Sequence, residues 1–234
     1  MNIAKERRDT VDSAFETRDI TVTTDGKHLY VAIVNDPQDG DPRSNGHNWG
    51  GEYFSAEMIK RMQEKDHPAF WASLIAMFDK SANFGVYLVE VQPDGSNIVV
   101  GEAEWNKPSA YIECIETHMP SSEFAMELWN NHLTAIEIIK SRESFKAGLA
   151  GHCAGLATKS DYRGLGVAAR LRILTLDEMK KAGCVEAFAE CTGNGSLTVF
   201  TREVAKKYRV EILKRIPYTF GSADVQFTIL VVYL

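Results

Sequence analysis

The residues best suited to chemistry form a short basic turn rich in glycine, Arg163–Ala168, whose sequence is RGLGVA. A strand-like apolar segment ends at Thr158, and a helical pattern with apolar residues at Leu171 and Leu174 follows the turn. The first amides of a helix have no internal acceptor, and the helix dipole is positive at that end. Glycine lets the backbone approach a phosphate closely, and arginine adds a forked cationic donor. The turn therefore predicts an anion site, and residues 163–168 are called the glycine cradle below.

The glycine spacing of the cradle does not fit a dinucleotide-binding turn. Such turns follow the pattern G-x-G-x-x-G, and the third glycine position, 169, is an alanine in this chain. The cradle instead resembles the acetyl-CoA motif of the GNAT superfamily of N-acetyltransferases, Q/R-x-x-G-x-G/A. Arg163, Gly166 and Ala168 occupy the three defined positions of that motif.

Within the superfamily, the chain is most similar to the arylalkylamine N-acetyltransferase group. The resemblance lies in the wording Asp-Tyr-Arg-Gly-Leu-Gly-Val-Ala that starts at Asp161, and in a Cys-Thr…Ser pattern from Cys191 to Ser196. It covers about residues 151–204. It implies an acyltransferase that moves the acetyl group of acetyl-CoA to a primary amine, a small arylalkylamine, by direct attack on the thioester.

Two alternatives stay open at this point. A GNAT-fold enzyme can act on another acceptor, such as a polyamine or a protein amine. A relative can also bind CoA without catalysis, and Phe200 favours this alternative because many GNAT enzymes have a tyrosine there.

The resemblance also implies which residues hold acetyl-CoA. Backbone amides of the cradle would bind the pyrophosphate, and the preceding strand and one asparagine would line the pantetheine arm. These residues are Arg163, Gly164, Leu165, Gly166, Val167 and Ala168 in the cradle, Leu156, Ala157 and Thr158 on the strand, and Asn194 after the next strand.

Acetyl transfer needs a base, because an amine with a pKa near 10 is charged at neutral pH. The insect branch of the arylalkylamine N-acetyltransferase group uses a glutamate shortly after the first helix, and Glu57 or Glu52 can match it. The serotonin-acetylating enzymes use an H-x-H pair before the cradle. His152 fills its first position, but the second is Ala154.

A general acid would protonate the departing thiolate. Phe200 has no hydroxyl for this, whereas Thr192 and Ser196 match hydroxyl positions of the insect branch. Thr192 can equally end a strand, and Ser196 can cap a helix. No metal site is expected, because the four cysteines lack a C-x-x-C pairing.

Composition and charge set the class of protein. The 234 residues are 44% hydrophobic and 25% charged, as in a soluble globular protein. We expect a cytoplasmic location with free thiols and no membrane span, and a monomer or homodimer. Residues 1–150 hold 14 basic and 24 acidic residues, and residues 151–234 hold 12 and 8. The acidic balance argues against nucleic acid as a partner, and its asymmetry favours a cationic acceptor on the N-terminal side.

The elements that must position these residues predict one α/β (α+β) domain with a mixed, mostly antiparallel twisted sheet of about seven strands flanked by helices. Residues 1–150 would form mainly the acceptor side, and residues 151–208 the acetyl-CoA core. Strands are predicted over 19–23, 84–91, 98–104, 151–158, 185–191, 210–216 and 225–233, and helices over 55–65, 69–79, 121–140, 164–182 and 196–208. Segment 24–34 fits either a hairpin strand or a helix, and the usual GNAT order favours the helix.

Overall fold

The computed structural model describes residues 15–22, 28–34, 84–91, 97–117, 123–220 and 223–234. The strands in these ranges form one eight-stranded sheet in the order β1-β2-β3-β4-β5-β6-β8-β7. They are β1 (Phe15–Val22), β2 (His28–Val34), β3 (Phe84–Val91), β4 (Asn97–Asn106), β5 (Ala150–Thr158), β6 (Glu186–Cys191), β7 (Arg209–Phe220) and β8 (Ala223–Tyr233). Only β5 and β6 pair in parallel among the described strands. The mixed, mostly antiparallel α/β class is confirmed, with one strand more than expected.

Helices cover both faces of the sheet. They are α1 (Pro108–Thr117), α2 (Glu123–Ser141), α3 (Glu143–Lys146), α4 (Val167–Lys181) and α5 (Asn194–Thr198), which continues through a π-helical turn, Val199–Glu203, and a 3₁₀ turn, Val204–Lys206. Phe188 packs with α1 and α2, whereas its neighbours Ala187 and Ala189 pack with α4. Because side chains alternate along a strand, these are opposite faces, called the α2 face and the α4 face below. None of the described helices is long and apolar enough to cross a bilayer.

The helix predicted for segment 24–34 is wrong, because residues 28–34 form strand β2. This strand pairs with β1 on one side and with β3 on the other. Pairing on both edges satisfies the backbone groups that a helix would have satisfied internally, so tertiary context overrides the local pattern. The alternative hairpin interpretation was the right one. The helices predicted at 55–65 and 69–79 lie outside the described residues.

The predicted elements nearer the cradle agree closely with the structure. Strand β3 has the predicted bounds, and β5 begins one residue earlier than predicted and ends at the predicted Thr158. Helix α4 begins three residues later and ends one residue earlier than predicted. Gly183 has a φ of +89° just after α4, as expected of a glycine that ends a helix. Helix α1 was not predicted. It begins at Pro108, a favoured residue for a first helical position.

A buried ion pair fastens α2 and α3 to the sheet. The Arg142 Nη2 group donates to Glu186 Oε1 at 2.6 Å and to the Tyr233 hydroxyl at 3.2 Å. The Ser144 hydroxyl donates to the other oxygen of Glu186. The Arg142 and Glu186 side chains are 28% and 12% exposed, so water screens this pair only in part.

Arg142→Met is expected to lower the free energy of unfolding by about 2 kcal/mol, because it leaves the Glu186 carboxylate buried without its cation. Lys146→Met is the matched control. It removes an ion pair to Glu143 whose side chains are 55% and 87% exposed, and such pairs contribute about 0.5 kcal/mol or less. Urea denaturation of both variants measures the difference. Equal losses would mean that the Arg142–Glu186 pair adds no more than the exposed pair.

Candidate active site

An opening in the sheet separates β5 from β6. The two strands pair only at Ala150–Glu186, Gly151–Ala187 and His152–Phe188, and then diverge. Beyond this point β5 continues to Thr158, and its residues change from buried to partly exposed. Every second residue there directs its backbone N–H and C=O groups toward the opening rather than toward a strand.

A β-bulge bends β5 at the narrow end of the opening. Cys153 pairs with Trp105 and Leu156 with Ala103, so Ala154 and Gly155 together lie opposite a single β4 residue. Bulges bend a strand locally and increase its twist. Leu156 consequently packs its side chain on the α4 face, and only its backbone is left to line the opening.

The glycine cradle lies beyond the open end of β5. Gly164 and Gly166 both have a φ of +77°, and a Cβ atom at either position would meet nothing within 4 Å. The first backbone hydrogen bond within α4 runs from Arg170 N to Gly166 O at 3.1 Å. The N–H groups of residues 167–169 precede it and have no acceptor within the helix. The cradle is therefore an open turn with donors directed outward, which suits a phosphate.

Two further contacts hold the cradle against the sheet. Gly101 on β4 lies so close to α4 that a Cβ there would come within 2.7 Å of Val167 Cγ1 and 2.8 Å of Leu171 Cδ1. Buried Tyr162 donates its hydroxyl hydrogen to the Glu90 carboxylate on β3.

The Thr158 hydroxyl, at the end of β5, is buried with no hydrogen-bond partner among the described residues. An orphan polar group beside an open cradle fits the polar arm of a CoA-like ligand.

On the α2 face, His152 joins two strands through its ring. Its Nδ1 atom is 2.8 Å from Asn106 Oδ1, and its Nε2 atom is 2.7 Å from Glu190 Oε2. The His152 and Glu190 side chains are 3% and 5% exposed. The Tyr111 ring stacks on the imidazole with 4.0 Å between centroids. The second carboxylate oxygen of Glu190 has no hydrogen-bond partner among the described residues.

The α2 face beside the opening is acidic. Ala103 and Trp105 pack on the α4 face, so Glu102, Glu104 and Asn106 direct their side chains toward the α2 face, as His152 does. Both glutamates are buried, and the Tyr87 hydroxyl donates to Glu104 Oε1 at 3.4 Å. Buried carboxylates gathered on one side of the opening favour a cationic ligand there.

Charge within the His152 group is set by its neighbours. Burial acts to raise the pKa of the Glu190 carboxyl, but the charge of His152 and its hydrogen bond outweigh burial and hold that pKa below its ordinary value. Nearby His132 accepts or donates one hydrogen bond, to the Tyr111 hydroxyl at 2.7 Å. Burial lowers the pKa of His132 to about 4, and Glu190 opposes this only in part. Glu190 is therefore ionised, and His132 neutral, at pH 7.

His132 should make the protein less stable as the pH falls from 6.5 toward 4. The unfolded chain takes up a proton near pH 6.5 that the folded state refuses until about pH 4. We expect a loss on the order of 2 kcal/mol over this range. Urea denaturation between pH 7 and pH 4.5 measures it. His132→Asn removes the titrating ring and should flatten the dependence, and an equally steep curve for this variant would assign the effect to other groups.

The hydroxyl candidates lie at the end of β6. Helix α5 begins at Asn194 with Gly193 as its N-cap, so Ser196 is not the cap. The Ser196 hydroxyl instead donates to the Gly193 carbonyl at 3.0 Å and lies near the Cys191 thiol. Thr192 directly follows β6 and is partly buried, and Asn194 is exposed. Phe200 is 2% exposed.

The structure brings most predicted site residues to one opening, with the cradle at its wide end and His152 at its narrow end. Glu57 and Glu52 lie outside the described residues. Sequence reasoning missed Asn106, Glu190 and Arg172, since none belongs to a motif. The described residues contain no group of three or more His, Cys, Asp or Glu side chains arranged to hold a metal ion.

Comparison with known proteins supports the fold. No protein-family model matches the chain, and no curated protein matches it in sequence. Among solved structures, arylalkylamine N-acetyltransferase 2 from Aedes aegypti is 13% identical, covers 78% of this chain and 87% of its own, and superposes with a TM-score of 0.52.

Two looser matches have TM-scores below 0.5. A putative acetyltransferase from Acinetobacter baylyi ADP1 is 11% identical over 88% of this chain and 94% of its own, with a TM-score of 0.47. A Drosophila melanogaster polyamine N-acetyltransferase is 13% identical, and the match covers 65% of this chain and 74% of that enzyme, with a TM-score of 0.45. The superposition on the Aedes enzyme agrees with the arrangement of strands, cradle and opening described above. We conclude that the chain has the fold of the GNAT N-acetyltransferases.

Proposed function

We propose that this protein is an N-acetyltransferase that transfers the acetyl group of acetyl-CoA to a primary amine, and that the amine is a small arylalkylamine. The observation that carries the proposal is the opening between β5 and β6, which runs from a glycine cradle to a buried acidic face. The fold of an arylalkylamine N-acetyltransferase supports it. A cationic amine is the ligand that the acidic face favours.

The chain's own residues would divide the work along the opening. The cradle amides and Arg163 would bind the pyrophosphate, and the backbone of Leu156–Thr158 would line the pantetheine arm, with Asn194 beside it. Bound acetyl-CoA supplies the thioester. We propose that residues 151–208 form this core and that residues 1–150 mainly hold the acceptor.

On the acceptor side, ionised Glu190 would bind the ammonium group through its second carboxylate oxygen. His152 would take up the amine's proton through water. Its two ring nitrogens lie 2.8 Å from the Asn106 amide oxygen and 2.7 Å from a Glu190 carboxylate oxygen, and both of these oxygens accept, so the protonated ring would donate one hydrogen bond to each. The hydrogen bond from the protonated imidazole to the Glu190 carboxylate would be charge-assisted, and such bonds are stronger than neutral ones. Glu57 stays the rival candidate for the base.

Ser196 and Thr192 stay proposed donors to the departing thiolate, since both lie where β6 ends. We also propose a cytoplasmic protein that acts as a monomer or homodimer. The free thiols of Cys153, Cys184 and Cys191 suit a reducing compartment.

The first test is the thermal stability of the protein with and without saturating acetyl-CoA. A ligand at ~100 times its Kd stabilises the folded state by about 2.7 kcal/mol, which raises the midpoint by several degrees. A panel of arylalkylamines, polyamines and peptide N-termini, assayed by release of the CoA thiol, then identifies the acceptor. The absence of any shift would overturn the cradle as a CoA site, and a shift without turnover on any amine would favour a CoA-binding protein that is not an enzyme.

A further inference from the structure

A guanidinium group lies buried beneath the narrow end of the opening, on the α4 face. Arg172 is 2% exposed. Its Nη2 group donates to the Gly155 carbonyl at 2.6 Å, and its Nη1 group donates to the Glu104 carbonyl at 3.3 Å. Both carbonyls belong to the β-bulge, and the guanidinium carbon is 5.5 Å from the centroid of the Phe200 ring.

The charge of Arg172 has no matching anion in the described part of the chain. The ion pairs found there do not include Arg172, and its Nε group has no hydrogen-bond partner. Burial of an unpaired cation is costly, and two carbonyl dipoles and an aromatic face offset only part of that cost. A buried cation without an anionic partner beside the opening is therefore a candidate for a functional group.

Two native thiols show where the field of Arg172 reaches. Cys153 lies on β5 and Cys191 on β6, so the two thiols flank the opening on the α4 face. Burial raises the pKa of both thiols, that of Cys191 to about 12, and Arg172 acts against this rise at each of them. Glu190, from the α2 face, acts in the opposite direction on both. A third sulfur placed between these strands would meet the same guanidinium.

We propose that Arg172 stabilises the thiolate of CoA as it leaves, and so replaces electrostatically the hydroxyl that Phe200 lacks. This inference rests on the proposed function. The amine nitrogen attacks the thioester carbonyl carbon, a C–N bond forms, and the π electrons move to the oxygen. The C=O bond then re-forms, and the C–S bond breaks with its electron pair on sulfur. The amine's proton goes to the base, and the thiolate later takes a proton from solvent.

The charges on the two faces fit this direction of reaction. Glu190 places negative charge on the side where an ammonium would bind, and Arg172 places positive charge on the side where a thiolate would form. The groups that face the guanidinium are the thiols of Cys153 and Cys191 and the carbonyls of Gly155 and Glu104. None of these carries a charge at neutral pH, and the anion that opposes Arg172 at both thiols is ionised Glu190 on the α2 face.

The test compares the binding of CoA with that of desulfo-CoA, which lacks the sulfur atom, by calorimetry from pH 6 to pH 9.5. Burial and Arg172 act in opposite directions on a thiol, so the wild-type protein is compared with Arg172 variants. Between pH 6 and pH 9.5, the affinity for CoA relative to desulfo-CoA is expected to change with pH about tenfold more favourably in the wild-type protein than in Arg172→Met, the factor that a difference of one pKa unit gives. Arg172→Lys should keep part of the wild-type pH dependence. Arg202→Met, which changes an exposed arginine of the π-helical turn, should leave it intact.

Each outcome decides one question. If the ratio follows the same pH curve in Arg172→Met as in the wild-type protein, the role of Arg172 is overturned. If Arg172→Met does not fold, Arg172→Lys decides, and a wild-type curve in that variant overturns the role as well. If neither CoA nor desulfo-CoA binds the wild-type protein, the proposed function itself has failed.

Discussion

Gly166→Glu is expected to weaken acetyl-CoA binding by roughly 100-fold or more, which corresponds to about 2.7 kcal/mol. Gly166 has a φ of +77°, where any side chain is strained. No atom lies within 4 Å of the position of its Cβ, so the new carboxylate would extend into the space proposed for the pyrophosphate. It would also occupy the amides at the start of α4 and repel the phosphates. Calorimetry with acetyl-CoA measures the loss.

Gly183→Glu separates this effect from a loss of stability. Gly183 has a φ of +89°, also has no atom within 4 Å of its Cβ position, and follows the opposite end of α4. The backbone strain and the added charge are therefore matched, but the site is remote from the cradle. The control should melt at a lower temperature and still bind acetyl-CoA as the wild-type protein does. Unchanged affinity in Gly166→Glu would mean that the cradle does not hold the phosphates.

His152→Gln is expected to lower kcat/KM for the amine by about 10²- to 10⁴-fold, the usual contribution of a general base. The ascending limb of the pH–rate profile should disappear with it. Glutamine is preferred to alanine because its amide can still bond to Asn106 or Glu190, so a buried carboxylate is not left alone. Kinetics from pH 6 to pH 9 provide the measurement, and an unchanged Kd for acetyl-CoA shows that the cofactor side is intact.

Two parallel variants locate the proton-accepting group. Glu57→Gln tests the rival base. If the His152 variant keeps the parental pH–rate profile and the Glu57 variant loses the ascending limb, Glu57 is the base. Glu190→Gln keeps the shape of the side chain and removes its charge. We expect it mainly to raise KM for cationic amines, because the carboxylate is proposed to bind the ammonium group.

The local sequence pattern is sufficient to predict the part of the site whose residues are contiguous in the chain. The cradle, the strand before it and the helix after it are contiguous, and each has its own signal in glycine spacing or in apolar period. The same holds for β3, whose alternation gave its bounds. Segment 28–34 failed because its apolar residues fit both periods, and only pairing with two other strands decides between them.

The chemistry around His152 could not be read from the sequence for a different reason. Asn106, His152 and Glu190 are 46 and 38 residues apart in the two hydrogen bonds, and the strand order of the sheet brings them together. Arg172 stands in a helix where its apolar neighbours suggest a core position, and only the β-bulge of β5 provides the carbonyls that hold a guanidinium there. Buried polar residues of this kind carry no motif, because their partners are set by topology.

The short pairing between β5 and β6 has a consequence for hydrogen exchange. Three residue pairs join β5 to β6, whereas eleven join β7 to β8. Beyond His152, amides of β5 that face β4 are protected by pairing, and those that face the opening meet solvent. Deuterium uptake along 156–158, beyond the β-bulge, should therefore alternate between slow and fast from one residue to the next. A ligand that bonded to the fast amides would turn this strand, the border of a gap, into an interior strand of a continuous sheet.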